Sequence, residues 1–306
     1  MINLFNRTEY SFRVVFGHME QVFAANDTQY VGICDRHGTW GHVAFQKMCR
    51  KKNIKPIFGV ELAVVPDPSI LEKQPTQFIK FIARNNQGLQ EMYELVSTAT
   101  KQFYYFPLIG IQQVHAVSDN IYIVTSKPIE KESLSNVLLD LNPTTNAKAI
   151  EWAKANGVLP VAGSDNYYPR PENEYAYQVL AGRNADDKTT PMYILNQWEW
   201  DIEVRGDPEF KALALEVARQ VAEKVDVTLP KAKLVKHTDP RTLEDMCREG
   251  AVYREIDLTQ EVYAARLKRE LDMIAEKEFE DYFYLIADMI IEAKKTMLVG
   301  PARGSS

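Results

Sequence analysis

The sequence has no apolar run of about 18 residues, which is the length that a membrane-spanning helix needs. Its first residues, MINLFNRTEYSF, also lack the basic segment and apolar stretch of a secretory signal. Cysteine is scarce, since Cys34, Cys49 and Cys247 are the only three and they form no CxxC pair. An odd number of cysteines in a chain without a signal favours reduced thiols. We therefore expect a cytoplasmic protein that is not associated with a membrane.

Several enzyme motifs are missing as well. The sequence contains no GxSxG, no P-loop and no GxGxxG, and its five histidines form no HxH, HxxxH or HExxH pattern. The net charge is mildly negative, with 36 lysines and arginines against 42 aspartates and glutamates. This balance argues against a nucleic-acid-binding face over the whole chain, but not against a local one. With 45% apolar and 25% charged residues, the composition is that of a folded globular protein.

The first 182 residues alternate short apolar runs with helical patterns. Runs rich in β-branched and aromatic residues predict strands at residues 30–34, 56–65, 78–83, 120–125 and 158–162. Helical spacing of apolar residues predicts helices at 42–52, 87–98 and 145–156. Such alternation is typical of a largely parallel sheet, whose working residues lie at the carboxyl ends of the strands.

From about residue 207 onward the pattern is helical throughout. Helices are predicted at residues 208–225, 242–252, 260–276 and 279–295. Thr242, with Asp245 three residues later, has the spacing of a capped helix start. Residues 182–206 are the best candidate for a linker, although Trp198 and Trp200 indicate that this stretch packs on something.

Three acidic residues follow or interrupt predicted strands: Asp35, Glu61 and Asp165. If these strands are parallel neighbours, the three carboxylates converge at one rim and could hold Mg²⁺ or Mn²⁺. The alternative is that acids at strand ends cap the next helix or accept hydrogen bonds from loop amides. Spacing alone does not decide between the two.

Four blocks of sequence resemble one known family in the same order. Residues 30–64 contain YVGICDRHGTWG and IKPIFGVELAV, residues 79–97 read IKFIARNNQGLQEMYELVS, and residues 159–180 read LPVAGSDNYYPRPENEYAYQVL. Residues 261–306 contain RLKREL, FEDYFYLI and VGPARGSS. Together they are similar to the polymerase and histidinol phosphatase (PHP) domain of bacterial DNA polymerase III alpha subunits and to its junction with the palm. The resemblance implies a distorted (β/α) barrel of about seven strands at residues 1–235, and a helical segment at 236–306 that leads into the palm.

The sequence departs from this family where an intact PHP site has histidines. The His-x-His of the first strand corresponds to Phe5 and Arg7, and the histidine after Asp35 is replaced by Arg36. Two further histidines of the family correspond to Phe78 and Tyr167 in this sequence. Imidazoles bind transition-type divalent ions, whereas phenyl rings do not and guanidinium groups repel cations.

The resemblance therefore implies a degenerate metal site, and we expect no metal to be bound there. The charges of Arg7 and Arg36 should instead pair with the carboxylates of Asp35, Glu61 or Asp165. In the family, domains with degraded sites act as scaffolds and as docking surfaces for a separate proofreading exonuclease.

The terminal sequence GPARGSS resembles the family's loop that approaches the triphosphate of an incoming nucleotide. Gly300 and Gly304 would let backbone N–H groups come close to an anion, Arg303 supplies charge and Ser305 a hydroxyl donor. Ala302 stands where the family has a second glycine. The alternative is a polar terminus with no ligand.

The aspartates that hold two metal ions in the family's palm lie beyond this loop, and the sequence ends at Ser306. We therefore expect a non-catalytic chain with no cofactor of its own. A second polypeptide with the palm and fingers would complete the polymerase, and Mg²⁺, DNA and deoxynucleotides would bind only to that complete enzyme. A divided or truncated replicase with a degraded site suggests a bacterial virus as its source.

Two alternatives remain open. One is a metal-dependent PHP phosphoesterase or proofreading exonuclease that uses Asp35, Glu61, Asp165 and His37. The other is a free-standing docking protein of the replisome.

Overall fold

The computed structural model describes residues 1–182, 190–231, 236–238 and 240–300 of the chain. The chain divides into two compact units, Met1–Leu229 and Pro230–Ser306. The sequence places this boundary between residues 235 and 236, and residues 232–235 lie outside the described part.

The first unit is built on one curled sheet, which has eight strands among the described residues. The strands are β1 (Tyr30–Arg36), β2 (Lys55–Val65), β3 (Gln77–Ala83), β4 (Phe103–Tyr104), β5 (Phe106–Gly110), β6 (Ile121–Thr125), β7 (Val137–Leu141) and β8 (Leu159–Ala162). Their order in space is β4-β5-β2-β3-β6-β7-β8, and β1 also pairs with β2. The predicted mixed α/β fold with a distorted barrel is confirmed. The strand count differs from the expected seven, and β4 has only two residues.

The direction of β3 differs from the prediction of a largely parallel sheet. Four pairings are parallel, namely β1 with β2, β2 with β5, β6 with β7 and β7 with β8. β3 is antiparallel to both of its neighbours, β2 and β6. The connection from β2 to β3, residues 66–76, contains no helix. A parallel return requires a crossover of a dozen or more residues, usually helical, so this short link turns the chain back antiparallel.

Eight helices belong to the described part of the first unit. They are α1 (Met19–Ala25), α2 (His42–Lys52), α3 (Asn86–Lys101), α4 (Ile111–Ala116), α5 (Ala147–Ala155), α6 (Glu174–Ala181), α7 (Gln197–Glu203) and α8 (Pro208–Lys224). Side chains of Asn85, Asn146 and Asp207 cap α3, α5 and α8 by accepting a hydrogen bond from a backbone N–H of the first turn. The helices predicted at 87–98, 145–156 and 208–225 begin within two residues of these observed starts.

The N-terminal segment, residues 3–7, bridges β1 and the chain after β8. On one side Gly32 N–H donates to Asn3 O (3.0 Å) and Cys34 N–H donates to Asn6 O (2.7 Å). On the other side Arg7 N–H donates to Asn166 Oδ1 (2.9 Å), and Asn166 Nδ2 donates back to Arg7 O (3.0 Å). A Cβ on Gly32 would lie 2.0 Å from Leu4 O, so only glycine permits this approach. The segment thereby carries Arg7 to the rim of the barrel.

The stretch predicted as a linker contains a buried anchor. Trp200, on α7, is fully buried, and its Nε1 donates to Leu141 O and to Gly163 O at 3.1 Å each. These two carbonyls lie at the ends of β7 and β8, so the indole ties both strand ends to α7. Residues 190–206 are therefore part of the first unit, and residues 183–189 lie outside the described part.

The second unit is helical where it is described. It contains α9 (Leu243–Tyr253), α10 (Glu261–Glu276) and α11 (Glu280–Lys294), and Thr242 and Asp245 form the predicted capping box of α9. Several apolar side chains of α11 are exposed, including Met289 (61%) and Ile291 (54%). In the part of the chain that the structure describes, no helix is both long and apolar enough to span a membrane.

Candidate functional site

Arg7 lies at the centre of a buried charge cluster at the rim of the barrel. Its Nη2 is 2.6 Å from Glu61 Oε1 and 2.6 Å from Asp165 Oδ1, and its Nε donates to Glu61 Oε2 (3.1 Å). Its Nη1 donates to Asn166 O (3.1 Å). The side chains of Arg7 and Glu61 are each only 2% exposed. The guanidinium therefore joins the acid of β2 to the acid that follows β8 through charge-assisted hydrogen bonds.

Arg36, the last residue of β1, also binds Glu61. Its Nε donates to Glu61 Oε2, and its Nη2 donates to the hydroxyl of Tyr167 (3.3 Å). Its guanidinium carbon lies 4.0 Å from the centre of the Phe78 ring, and the Tyr167 ring is 4.9 Å from the guanidinium carbon of Arg7. Aromatic faces attract cations, so Phe78 and Tyr167 help to hold the two arginines.

A third buried cation, Lys80 on β3, was not predicted from the sequence. Its Nζ donates to Asp140 Oδ2 on β7, lies 3.9 Å from Asp165 Oδ1 and is 5.0 Å from the centre of the Phe5 ring. Lys80 and Asp140 are each the only charged residue in an apolar strand, FIKFIA and VLLDL. A lone charge in a buried strand requires a partner, and this signal could have found both residues.

Most charges of the cluster hold one another in the ionised state, whereas burial raises the pKa of Asp140 although Lys80 opposes this. Burial opposes ionisation of Glu61, but the cations of Arg7 and Arg36 outweigh it and keep the pKa of this carboxyl well below its usual range. Burial likewise opposes ionisation of Asp165, and Arg7 and Lys80 lower its pKa. Burial also lowers the pKa of Lys80, but the carboxylates of Asp140 and Asp165 more than offset this. The cluster is thus a set of mutually dependent ions.

These residues do not fit a divalent metal ion. The guanidinium of Arg7 fills the space between Glu61 and Asp165 that an ion bridging the two carboxylates would need. Around the cluster, Phe5, Phe78 and Tyr167 offer aromatic rings to Lys80, Arg36 and Arg7, and such rings do not bind a metal ion. Among the residues described, no group of three or more His, Cys, Asp or Glu side chains is arranged to hold a metal. A cavity of about 140 Å³ adjoins the cluster and is lined by Arg36, Lys80 and Lys127 among others.

Asp35 does not pair with either arginine, in contrast to one expectation from the sequence. Its carboxylate accepts hydrogen bonds from Thr8 N–H (2.6 Å), Thr8 Oγ1 and Ser11 Oγ (2.7 Å), and it is fully buried. Side chains alternate between the two faces of a strand, so Asp35 and Arg36 point to opposite sides of β1. Asp35 therefore fastens the loop at residues 8–11, which agrees with the alternative reading that such acids bind loop groups.

The burial of Asp35 predicts that the stability of the protein depends on pH. Burial raises the pKa of Asp35 from its ordinary value of 3.8 to about 6, although Thr8 and Ser11 donate to it. Since the pKa of Asp35 is higher in the folded than in the unfolded chain, binding of the proton to this carboxyl stabilises the fold. This contribution is fully present below about pH 4 and is lost as the pH rises through 6. Relative to Asp35→Asn, the wild type should lose about 3 kcal/mol of unfolding free energy over this interval. Urea denaturation of both proteins at several pH values measures the difference, and a difference that is constant between pH 4 and 6 would contradict the assignment.

The remaining predicted residues lie elsewhere. His37 stacks on Phe106 at 5.2 Å between ring centres, and burial lowers the pKa of its imidazole to about 4. It makes no hydrogen bond from its ring to Glu61 or Asp165 within the described part. Gly300 is the last described residue, so Arg303, Gly304 and Ser305 of the predicted nucleotide loop lie outside the described residues.

Comparison with known proteins identifies the class of this chain. The family model of the PHP domain matches residues 6–168, more than half of the chain, and the chain therefore belongs to the PHP domain family. A second family model, the bacterial DNA polymerase III alpha NTPase domain, matches residues 241–306. The resemblance inferred from the sequence blocks is thus confirmed in both units.

Curated relatives indicate more narrowly which proteins the chain is similar to. The DNA polymerase III subunit alpha of Bacillus subtilis (strain 168) is 25% identical over 90% of this chain, and that of Aquifex aeolicus is 26% identical over 90%. The aligned regions are 28% and 30% of those proteins, so the chain spans less than a third of their length and matches their N-terminal part. A solved structure from Bifidobacterium adolescentis, described as a metal-dependent phosphoesterase, superposes with a TM-score of 0.37 at 11% identity, covering 54% of this chain and 86% of that one.

Proposed function

We propose that this chain is the N-terminal, non-catalytic PHP portion of a replicative DNA polymerase of the DNA polymerase III alpha kind. Its first unit would serve as a scaffold rather than as a phosphoesterase. The observation that carries this proposal is the position of Arg7, whose guanidinium is within 2.6 Å of both Glu61 and Asp165. The similarity of both units to alpha subunits supports the polymerase context.

The chemistry of the cluster argues against hydrolysis. A PHP phosphoesterase would use its rim carboxylates to hold metal ions that activate water. Here the same carboxylates are neutralised by Arg7, Arg36 and Lys80, and displacing a buried guanidinium would leave an unpaired charge at high cost. In place of a metal, the cations join β1, β2, β3 and the segment after β8. A structural role follows from these contacts, because they connect strands that are distant in sequence.

The second unit supplies the other part of the proposal. Its exposed apolar side chains on α11, such as Met289 and Ile291, would pack against a palm and fingers that lie outside these 306 residues. In the completed polymerase, Mg²⁺ would be held by palm aspartates, and the loop with Gly300, Arg303, Gly304 and Ser305 would approach the deoxynucleotide. A proofreading exonuclease is a further candidate partner of the first unit. A divided polymerase and a bacterial virus as its source remain predictions.

Hydrolysis by the purified chain tests the scaffold role directly. We expect no release of phosphate from p-nitrophenyl phosphate with Mn²⁺ beyond that of the Asp165→Ala variant. Manganese-dependent turnover that Asp165→Ala abolishes would favour the phosphoesterase alternative and overturn the proposal.

For the polymerase role, a palm-bearing polypeptide encoded next to this chain should co-purify with it, and only the complex should extend a primer. Primer extension by this chain alone would contradict the proposal.

Metal uptake gives a second test of the same site. The double variant Arg7→His, Arg36→His introduces two imidazoles but leaves Phe5, Phe78 and Tyr167 at other ligand positions and Lys80 beside Asp165. We expect calorimetric titration with Mn²⁺ or Zn²⁺ to show no tight binding to this variant, since too few donors surround the ion and a fixed cation repels it. Tight uptake with one ion per chain would show that the two arginines alone had displaced the metal.

A further inference from the structure

One stretch of this acidic chain carries only positive charge. From Arg36 to Val60 there is no aspartate or glutamate, although the whole chain has 42 acids and a net charge of −6. The same stretch contains six cations, namely Arg36, Lys47, Arg50, Lys51, Lys52 and Lys55. Arg36 belongs to the buried cluster, and the other five lie on or just after α2. The local charge is therefore opposite to that of the protein as a whole.

Three of these cations form an exposed face on α2. At 100° per residue, Val43, Lys47 and Arg50 fall within about 60° of one another, and Lys51 lies beside them. All four side chains are exposed, whereas Phe45 and Cys49 on the other side of α2 are buried in the core. Within the described residues, Lys47, Arg50 and Lys51 form no ion pair. In contrast, Lys52 lies 5.6 Å from the centre of the Phe23 ring and Lys55 donates to Glu223 O.

An exposed aromatic ring stands at the start of this face. Trp40 is 64% exposed, and Val43, one turn later, is 59% exposed. The indole lies against Gly38. A Cβ at this position would be 2.3 Å from the ring, so only glycine leaves room for the ring here. Leaving a large apolar ring in water forgoes the free energy of its burial. We call Trp40, Val43, Lys47, Arg50 and Lys51 together the α2 face.

We propose that the α2 face binds single-stranded nucleic acid. The three cations would contact successive phosphates, and the indole of Trp40 would stack on an unpaired base, which is how proteins hold single strands without reading their sequence. Val43 to Lys51 spans about 12 Å along the helix axis, enough for a few nucleotides. A single strand is favoured over an acidic peptide because every nucleotide supplies both a phosphate for the cations and a planar base for the indole, whereas an acidic peptide offers a ring only where it has an aromatic residue. This binding rests on charge and exposure alone and is independent of the proposed polymerase role. It departs from the expectation from the sequence that DNA binds only to a completed polymerase, because the α2 face would bind a strand by itself.

Fluorescence anisotropy of a labelled oligodeoxythymidylate of about 16 nucleotides tests the surface with the full chain. We expect binding at about 50 mM salt and a loss of about tenfold or more in the variant Lys47→Ala, Arg50→Ala, Lys51→Ala. The slope of log affinity against log salt should decrease in magnitude by about 2, because each phosphate contact contributes about 0.7 for single strands. Trp40→Ala should weaken binding about tenfold and leave this slope unchanged, since stacking releases no counterions.

The matched control is Lys73→Ala, Lys101→Ala, Lys148→Ala, which removes the same charge from exposed lysines elsewhere in the first unit. It should bind like the wild type, and thermal unfolding should show all variants folded. Equal weakening in the control would show that net charge, and not the α2 face, attracts the oligonucleotide. No binding by the wild type would also overturn the proposal. So would poly-glutamate that competes with the oligonucleotide as well as an unlabelled strand does, because that result would favour an acidic protein partner.

Discussion

Replacement of Arg7 by methionine is expected to lower the free energy of unfolding by about 3 to 5 kcal/mol. The substitution removes the guanidinium that lies between Glu61 and Asp165 and leaves both carboxylates without their principal partner. A methionine fills a similar volume, so the loss reports charge more than packing. Urea denaturation at pH 7 measures the change in the free energy of unfolding. The same measurement at low pH should show a smaller difference between the variant and the wild type. Arg7 lowers the pKa of Glu61, so the stability that it contributes is lost as the pH falls and the carboxyl takes up a proton.

Two comparisons make this result specific. Arg50→Met changes the same side chain at an exposed position with no ion pair among the described residues, and it should alter the free energy of unfolding by less than about 0.5 kcal/mol. The double variant Arg7→Met, Glu61→Gln should be less destabilised than the sum of its two single variants, since neither charge is then left without the other. Strict additivity would mean that the pair seen in the structure contributes no coupling energy.

Replacement of Trp200 by alanine should cost about 3 to 5 kcal/mol, because it empties the space of a fully buried indole and removes the N–H that Leu141 O and Gly163 O share. Those carbonyls, of Leu141 and Gly163, lie at the ends of β7 and β8, so the loss should be accompanied by faster amide exchange in these strands. Chemical denaturation measures the first effect and hydrogen exchange the second.

Trp198 provides the control, since it lies two residues away on the same helix but is 72% exposed. Trp198→Ala should change the free energy of unfolding by no more than about 0.5 kcal/mol. Trp200→Phe keeps most of the apolar volume and removes the N–H donor, so it should show an intermediate loss of about 1 to 3 kcal/mol. Equal effects of Trp198→Ala and Trp200→Ala would contradict the anchoring of α7.

The regular elements could be predicted because their signals are local. The helix at residues 42–52 is α2 without any change of bounds, and the strand at residues 56–65 begins one residue earlier in the structure. Apolar spacing and polar boundaries repeat within a few residues, and packing did not override them here. The helices α1, α4, α6 and α7 were not predicted, since they have only six to eight residues and such short helices give little periodicity. The strands β4, β5 and β7 were also missed, although β5 and β7 are as long as the predicted β6.

The buried cluster could be predicted only in part, because local sequence patterns do not show which distant strands meet. The sequence pointed to Arg7, Arg36, Glu61 and Asp165 as a group through the family resemblance, and the structure brings these four together. It separates Asp35 from them, because a strand sends consecutive side chains to opposite faces. Lys80 and Asp140 join the cluster from strands that had not been connected with it, although each is a lone charge in an apolar run.

The sequence by itself determined the PHP relationship and the acid-free basic stretch around α2, and it predicted that Phe5, Arg7, Arg36, Phe78 and Tyr167 stand where the family has histidines. Each of these is a matter of residue identity, which needs no coordinates. Only the tertiary structure decided which cation meets which carboxylate, that β3 runs antiparallel, and that Trp200 is an anchor and not part of a linker. Those outcomes depend on contacts between segments up to about 160 residues apart, and the energy of such contacts is set by burial and mutual geometry.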